Sequence, residues 1–172
     1  MQIAAEIVGF LGLICSLISF QQKQRKWVML FQLTASALCC LALFLAGSVI
    51  GGALDLISFV RTTVFAIFMN STKKWANSPV WLWLFIIALV VTGIFTWQNG
   101  WSILPILGSV LSTVALWMKK ASHIRMVSLF VGPCWMIYNL VEGTFAGAMN
   151  EVLAMTSIVI GMLRHDRKQK TA

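Results

Sequence analysis

Charge is what this sequence has least of. Of its 172 residues only 10% are charged, and just 5 are acids, against about 25% charged residues in an ordinary soluble domain. So few ionic groups cannot cover a globule of this size in water, which excludes a soluble enzyme, a secreted disulfide scaffold and a disordered tail. Cysteine is sparse and unpatterned. Cys15, Cys39, Cys40 and Cys134 all fall in apolar stretches without a C-x-x-C pair, so they read as small apolar side chains. His123 and His165 stand beside bases with no second ligand nearby, and a metal centre is not expected. No phosphate-cradling loop, nucleophile elbow or zinc motif occurs, so neither an enzyme nor a cofactor is expected. What the chain does have is grease. Hydrophobic residues make up 59% and the mean hydropathy is +0.87, which leaves a membrane protein whose first partner is the lipid bilayer.

A helix needs roughly 20 mainly apolar residues to cross the hydrocarbon core. Seven stretches qualify: Ile3–Phe20, Trp27–Leu45, Ser48–Met69, Pro79–Trp97, Ser102–Met118, Ile124–Val141 and Thr144–Leu163. The breaks after the second and sixth are so short that their flanking spans must be antiparallel hairpins. The first span has no basic segment before it, since Glu6 is the only charge ahead of Lys23, and it is read as a retained helix rather than a signal peptide.

The surplus of bases (formal net charge +8) is positional. Lys23, Arg25 and Lys26 follow span 1; Lys73 and Lys74 follow span 3; Lys119, Lys120 and Arg125 surround the turn between spans 5 and 6; Arg164, Arg167, Lys168 and Lys170 follow span 7. The intervening breaks contain none. Basic short loops stay in the cytoplasm, so the N-terminus is expected in the periplasm and the C-terminus in the cytoplasm. The basic tail suits anionic headgroups at the inner leaflet, and the charge does not indicate nucleic acid. Trp27, Trp75, Trp81, Trp83 and Trp117 at the inner boundary, with Trp97 and Trp101 at the outer one, form an aromatic belt.

An internal repeat emerges when residues 10–74 are laid on 106–170, an offset of 96 without a gap. Gly12 meets Gly108, Ser16 meets Ser112, Lys23 meets Lys119, Gly47 meets Gly143, Gly51 meets Gly147 and Asp55 meets Glu151; eight positions are identical. The landmarks rather than the identities carry the repeat. The expected fold is an all-α membrane protein of seven transmembrane helices in a 3+1+3 parallel-repeat arrangement. Residues 1–70 form the first three-helix repeat, 71–101 the linker helix and its loops, 102–163 the second repeat and 164–172 a basic cytoplasmic tail.

This layout resembles that of the SWEET and PQ-loop (MtN3-like) transporters. The resemblance is architectural: the Pro-Gln dipeptide is absent, the end of span 1 reading Phe20-Gln21-Gln22, and of the symmetric hinge prolines only Pro105 and Pro133 lie within spans. A more specific resemblance lies in Leu104–Trp117 and in Cys134–Glu151, with Arg61-Thr62 in span 3: these runs are similar to the YgjV family of bacterial inner-membrane proteins. That resemblance implies an inner-membrane location and brings no substrate with it.

The candidate site residues are those a membrane helix keeps at a cost. Asp55 and Glu151 lie within spans, where a charge costs about 2.5–3.5 kcal/mol on insertion scales. Each ends a stripe spaced i, i+4, i+8, namely Gly47, Gly51, Asp55 and Gly143, Gly147, Glu151; small residues at that spacing admit a neighbouring helix, so the glycines are expected to pack helices and the carboxyls to face protein. The functional reading is a protonatable or cation-binding pair; the structural alternative is a neutral carboxyl bonded to a neighbour such as Asn150 or Thr144. Arg61 lies just past the middle of span 3 and must find an acceptor. Six positions from Asp55, it makes a poor intrahelical pair and is expected to meet Glu151 or a backbone carbonyl. Span 6 adds Trp135, Tyr138, Asn139 and Glu142 in one stripe, a lining of the kind small-molecule sites use, although Glu142 reads better as an outer-edge acid in water.

The leading expectation is a small-solute transporter whose pathway runs between the two repeats, lined by Asp55, Arg61, Trp135, Tyr138, Asn139, Asn150 and Glu151, and proton-coupled if Asp55 or Glu151 exchanges a proton. The alternative is a non-transporting receptor or interaction protein whose polar core is closed and fully paired.

Overall fold

The computed structural model describes residues 2–45, 49–68, 75, 78–95, 97, 99–141, 143 and 145–166. Every described element is helical. The helices are α1 (Gln2–Phe20), α2 (Arg25–Leu45), α3 (Val49–Phe68), α4 (Val80–Phe95), α5 (Ile103–Trp117), α6 (Ala121–Val141) and α7 (Phe145–Gly161). A 3₁₀ turn, Gly100–Ser102, leads into α5, and a π-helical turn, Met162–Asp166, closes α7. One helix therefore lies in each apolar stretch. Among the described residues three segments are long and apolar enough to cross a membrane: Ile3–Phe20, Gly100–Trp117 and Ala121–Val141. The apolar α4 has 16 residues.

Local chemistry sets the ends. Pro79 lacks an N–H that the first turn of α4 would leave unused anyway, and Ser78 Oγ accepts a 3.4 Å hydrogen bond from Val80 N. Asn99 caps the turn before α5: its Oδ1 accepts from Trp101 N at 3.0 Å, and its own N–H donates to Ser102 Oγ at 3.2 Å. α2 and α6 begin at Arg25 and Ala121, before the apolar stretches that start at Trp27 and Ile124. Helical hydrogen bonding does not stop where hydropathy does, so a polar first turn extends each helix beyond its apolar stretch.

The chain divides into two compact units, residues 1–71 and 72–172. In the first, α2 packs against both α1 and α3. Val28, Met29 and Phe65 are fully buried there, with Ser19. Ser19 Oγ donates to the Ser16 carbonyl at 2.6 Å and accepts from Gln32 Nε2 at 2.9 Å, a polar clasp between α1 and α2. In the second unit α4 packs on α5, α5 on α6 and α6 on α7, and the closing turn rests on α6 and α7. Its deepest side chains are Arg125, Ile124, Ile158 and Thr113.

Outward faces are apolar. Ile3, Ile7, Phe10, Ile14 and Ile18 on α1 are exposed at helical spacing, as are Val80, Leu84, Ile87, Val91 and Ile94 on α4. Water would not tolerate such stripes; hydrocarbon covers them without penalty.

Candidate functional site

In the first unit α3 carries both candidate charges. Arg61 is 6% exposed and Thr62 is buried beside it, while Asp55 is half-buried. Arg61 acts electrostatically on Asp55 from six positions along the same helix. The neighbouring hydroxyls turn inward to their own helix: Thr62 Oγ1 donates to the Ser58 carbonyl and Thr63 Oγ1 to that of Phe59, each at 2.8 Å. Cys39 on α2 lies against α1, where a Cβ placed on Gly12 would stand 3.0 Å from its Sγ and 3.3 Å from the Ala35 carbonyl. Cys39 also lies within electrostatic reach of Cys15, Cys40 and Asp55. No sequence signal marks this gathering of thiols near the acid, because they come from two helices at unrelated spacings. Among the described residues no group of three or more His, Cys, Asp or Glu side chains could hold a metal ion.

In the second unit α6 fits large side chains to glycines. The Trp135 indole lies against α5, so that a Cβ on Gly108 would meet Nε1 at 2.7 Å and Cδ1 at 2.9 Å. Asn139 faces α7, with Oδ1 2.5 Å from where a Cβ of Gly147 would be. Gly132 of α6 receives Met155 of α7 at 2.5 Å from the same ideal position, with Glu151 Oε2 at 3.8 Å. Trp135 and Tyr138 meet edge to face, centroids 6.3 Å apart at 83°. The structure therefore brings Trp135, Tyr138, Asn139 and Glu151 onto the contact faces of α5, α6 and α7.

Other candidates fall elsewhere. Asn150 is exposed on α7 and is not gathered into this cluster. Gly147 receives the Asn139 side chain, whereas Gly143 stands at a turn. With φ +72° and nothing within 4 Å of its ideal Cβ, it ends α6 in the left-handed conformation that glycine adopts freely, its N–H donating to the Leu140 carbonyl at 3.2 Å. Gly47 and Glu142 lie outside the described residues, and of Gly51 only the backbone, in α3, is described.

One buried charge pair has no signature in the sequence. Arg125, expected among the bases of a cytoplasmic turn, is 1% exposed, and Asp166, expected in a basic tail, is 19% exposed and meets it from the closing turn. Arg125 Nε donates to Asp166 Oδ2 at 3.1 Å and Nη2 donates to Oδ1, a bidentate fork of the kind guanidinium and carboxylate favour. The turn Met162–Asp166 carries the chain far enough past the apolar end of α7 to deliver this carboxylate. Forty-one residues separate the partners, and nothing local in the sequence links them.

The profile of a family described as Imp-YgjV, bacterial inner membrane protein, matches residues 3–169. The inner membrane protein YgjV of Escherichia coli (strain K12) is 25% identical over 166 residues, covering 96% of this chain and 86% of that protein. No solved structure matches. The match spans nearly the whole chain, and the protein belongs to the Imp-YgjV family of bacterial inner-membrane proteins.

Proposed function

We propose that this protein is a small-solute transporter of the bacterial inner membrane, built from two parallel three-helix repeats joined by α4, in a SWEET-like layout with the N-terminus periplasmic and the C-terminus cytoplasmic. The observation that carries the reading is the pair of sequence-equivalent carboxyls, Asp55 and Glu151, held half-buried in helices of an inner-membrane protein. Ionisable groups inside membrane helices are rare and commonly mark solute or ion pathways. The repeat is supported by more than sequence landmarks. At the offset of 96 six pairs of buried positions coincide: Ser19 with Ala115, Phe20 with Leu116, Val28 with Ile124, Met29 with Arg125, Arg61 with Ser157 and Thr62 with Ile158. The close contacts coincide too, Gly12 with Cys39 in one unit and Gly108 with Trp135 in the other. Paired repeats of this kind are a common plan of membrane transporters. The solute would be met by Asp55 and Arg61 in the first unit and by Trp135, Tyr138, Asn139 and Glu151 in the second.

A second reading, a receptor or interaction protein with a closed core, draws on the tight seating of Trp135 and Asn139 against glycines. Proteoliposomes loaded with a mixture of sugars, amines, amino acids and organic acids separate the two. Transport requires that at least one class exchanges, and that Asp55→Asn combined with Glu151→Gln reduces the exchange at least tenfold. No movement of any class, or wild-type movement in the double variant, rejects it. A C-terminal reporter active only in the cytoplasm tests the orientation.

A further inference from the structure

The two equivalent carboxyls do not share an equivalent environment. In the first unit Asp55 has a fixed positive charge acting on it from Arg61. At the offset of 96, the residue of the second unit that stands where Arg61 stands is Ser157, likewise buried. The second unit does hold one fully buried guanidinium, but Arg125 is taken up by Asp166 at the far end of α6. Lys119, Lys120 and His123 are exposed at the turn before α6 and near its start, on the same end as Arg125.

Glu151 itself lies where α7 crosses Gly132, with Met155 filling the rest of the notch. On α6, the helix packed against this face, the ionisable side chains between Arg125 and Val141 are Cys134 and Tyr138. Neither supplies a positive charge. Among the described residues of its unit, no ion pair or hydrogen bond satisfies the Glu151 carboxyl. The next residue of α6 after Gly132 is Pro133, which brings no N–H, so the Leu129 carbonyl receives none from the fourth residue on. A carboxyl thus sits beside a stretch of helix lacking one side chain, at Gly132, and one backbone donor, at Pro133, and the ionisable groups of α6 along that stretch bring no positive charge. Inside a bilayer such a group is stable only when a cation neutralises it.

We propose that Glu151 is a cation-binding residue, and that the positive charge built into the first unit as Arg61 is supplied to the second from solution. The cation is a proton or a small ammonium ion; both answer the same shortage of charge, and Trp135 and Tyr138 close by favour an ammonium through their ring faces. This assigns a ligand class to the site of the proposed transporter, yet it concerns binding and stands whether or not the ligand is carried across.

The test reads binding directly from the thermal stability of the full chain in lipid nanodiscs, since a ligand that binds the folded state raises its unfolding midpoint. One arm lowers the pH at constant ionic strength. The other adds methylammonium chloride at constant pH, with sodium chloride as the ionic-strength control and glucose as the neutral control. A rise in midpoint is expected in at least one arm; a rise with acid alone identifies the proton, and a rise with methylammonium beyond the sodium control identifies the ammonium ion. Glu151→Gln, nearly isosteric and neutral, is expected to abolish the rise, and Glu6→Gln, at an exposed acid of α1, to retain it. Ser157→Arg places in the second unit the guanidinium of the first and is expected to abolish the rise as well; where that bulkier variant does not assemble, Glu151→Gln decides. No rise in either arm, or a rise that survives Glu151→Gln, overturns the proposal.

Discussion

The two units share several buried positions at the offset of 96 but place their charges differently. Met29 is buried in the first unit and its counterpart Arg125 in the second; Arg61 is buried in the first and its counterpart Ser157 in the second. The Gln32–Ser19 clasp of α1 and α2 corresponds to Ser128 and Ala115, a pair that cannot make it. Packing of a membrane helix bundle depends on shape, so the proposed repeat requires small and large positions to stay in register. Charge placement is free to diverge once each buried charge finds an answer. The first unit carries a buried arginine, Arg61, on the same helix as its acid; in the second the buried arginine, Arg125, holds Asp166 of the closing turn.

The largest effect is expected at Arg125 and Asp166. Asp166→Asn leaves a buried guanidinium without its carboxylate and is expected to cost about 3–5 kcal/mol, read as a lowered thermal midpoint in detergent. Arg125→Met combined with Asp166→Asn copies Met29 and Asn70, the residues at those positions in the first unit. The double variant is expected to recover part of the loss, because it removes the buried guanidinium that Asp166→Asn leaves without its carboxylate. A double variant no better than Asp166→Asn would show that the units are not interchangeable at this position.

A smaller effect is expected at the glycine contacts. Gly108→Ala drives a methyl into the rigid Trp135 indole at 2.7 Å and is expected to destabilise by about 1–3 kcal/mol. Gly9→Ala in the first unit meets only Ala42 Cβ at 3.6 Å and is expected to leave the midpoint within about 0.5 kcal/mol of wild type. Equal losses would mean that Trp135 swings aside and is not anchored by Gly108.

Much of this architecture is legible in the order of the residues. Hydropathy places one helix in each apolar stretch, because a membrane helix announces itself by composition and length. The repeat offset places Gly12 and Gly108 in register, and both are points of closest approach. Contacts that depend on a chain's return in space are not legible in the same way. Asp166 stands among bases and looks like part of a solvated tail; only the helical turn beyond Gly161 carries it to Arg125. Gly143 fits the packing stripe by spacing, yet a hairpin this short needs a residue with positive φ at its corner, and that demand prevails. Asn150 is next to Glu151 in sequence, but adjacent residues on a helix point about 100° apart, and Asn150 faces out.

The difference between the two acids is tested most directly by comparing Asp55→Asn with Glu151→Gln in thermal unfolding at neutral pH without added ligand. Asp55→Asn removes the negative charge coupled to Arg61 and is expected to lower the midpoint. Glu151→Gln removes a carboxyl with no fixed cation in its unit and is expected to leave the midpoint unchanged or raise it. Equal losses in the two variants would contradict the account, since both acids would then be held by fixed partners and neither unit would need a charge from outside.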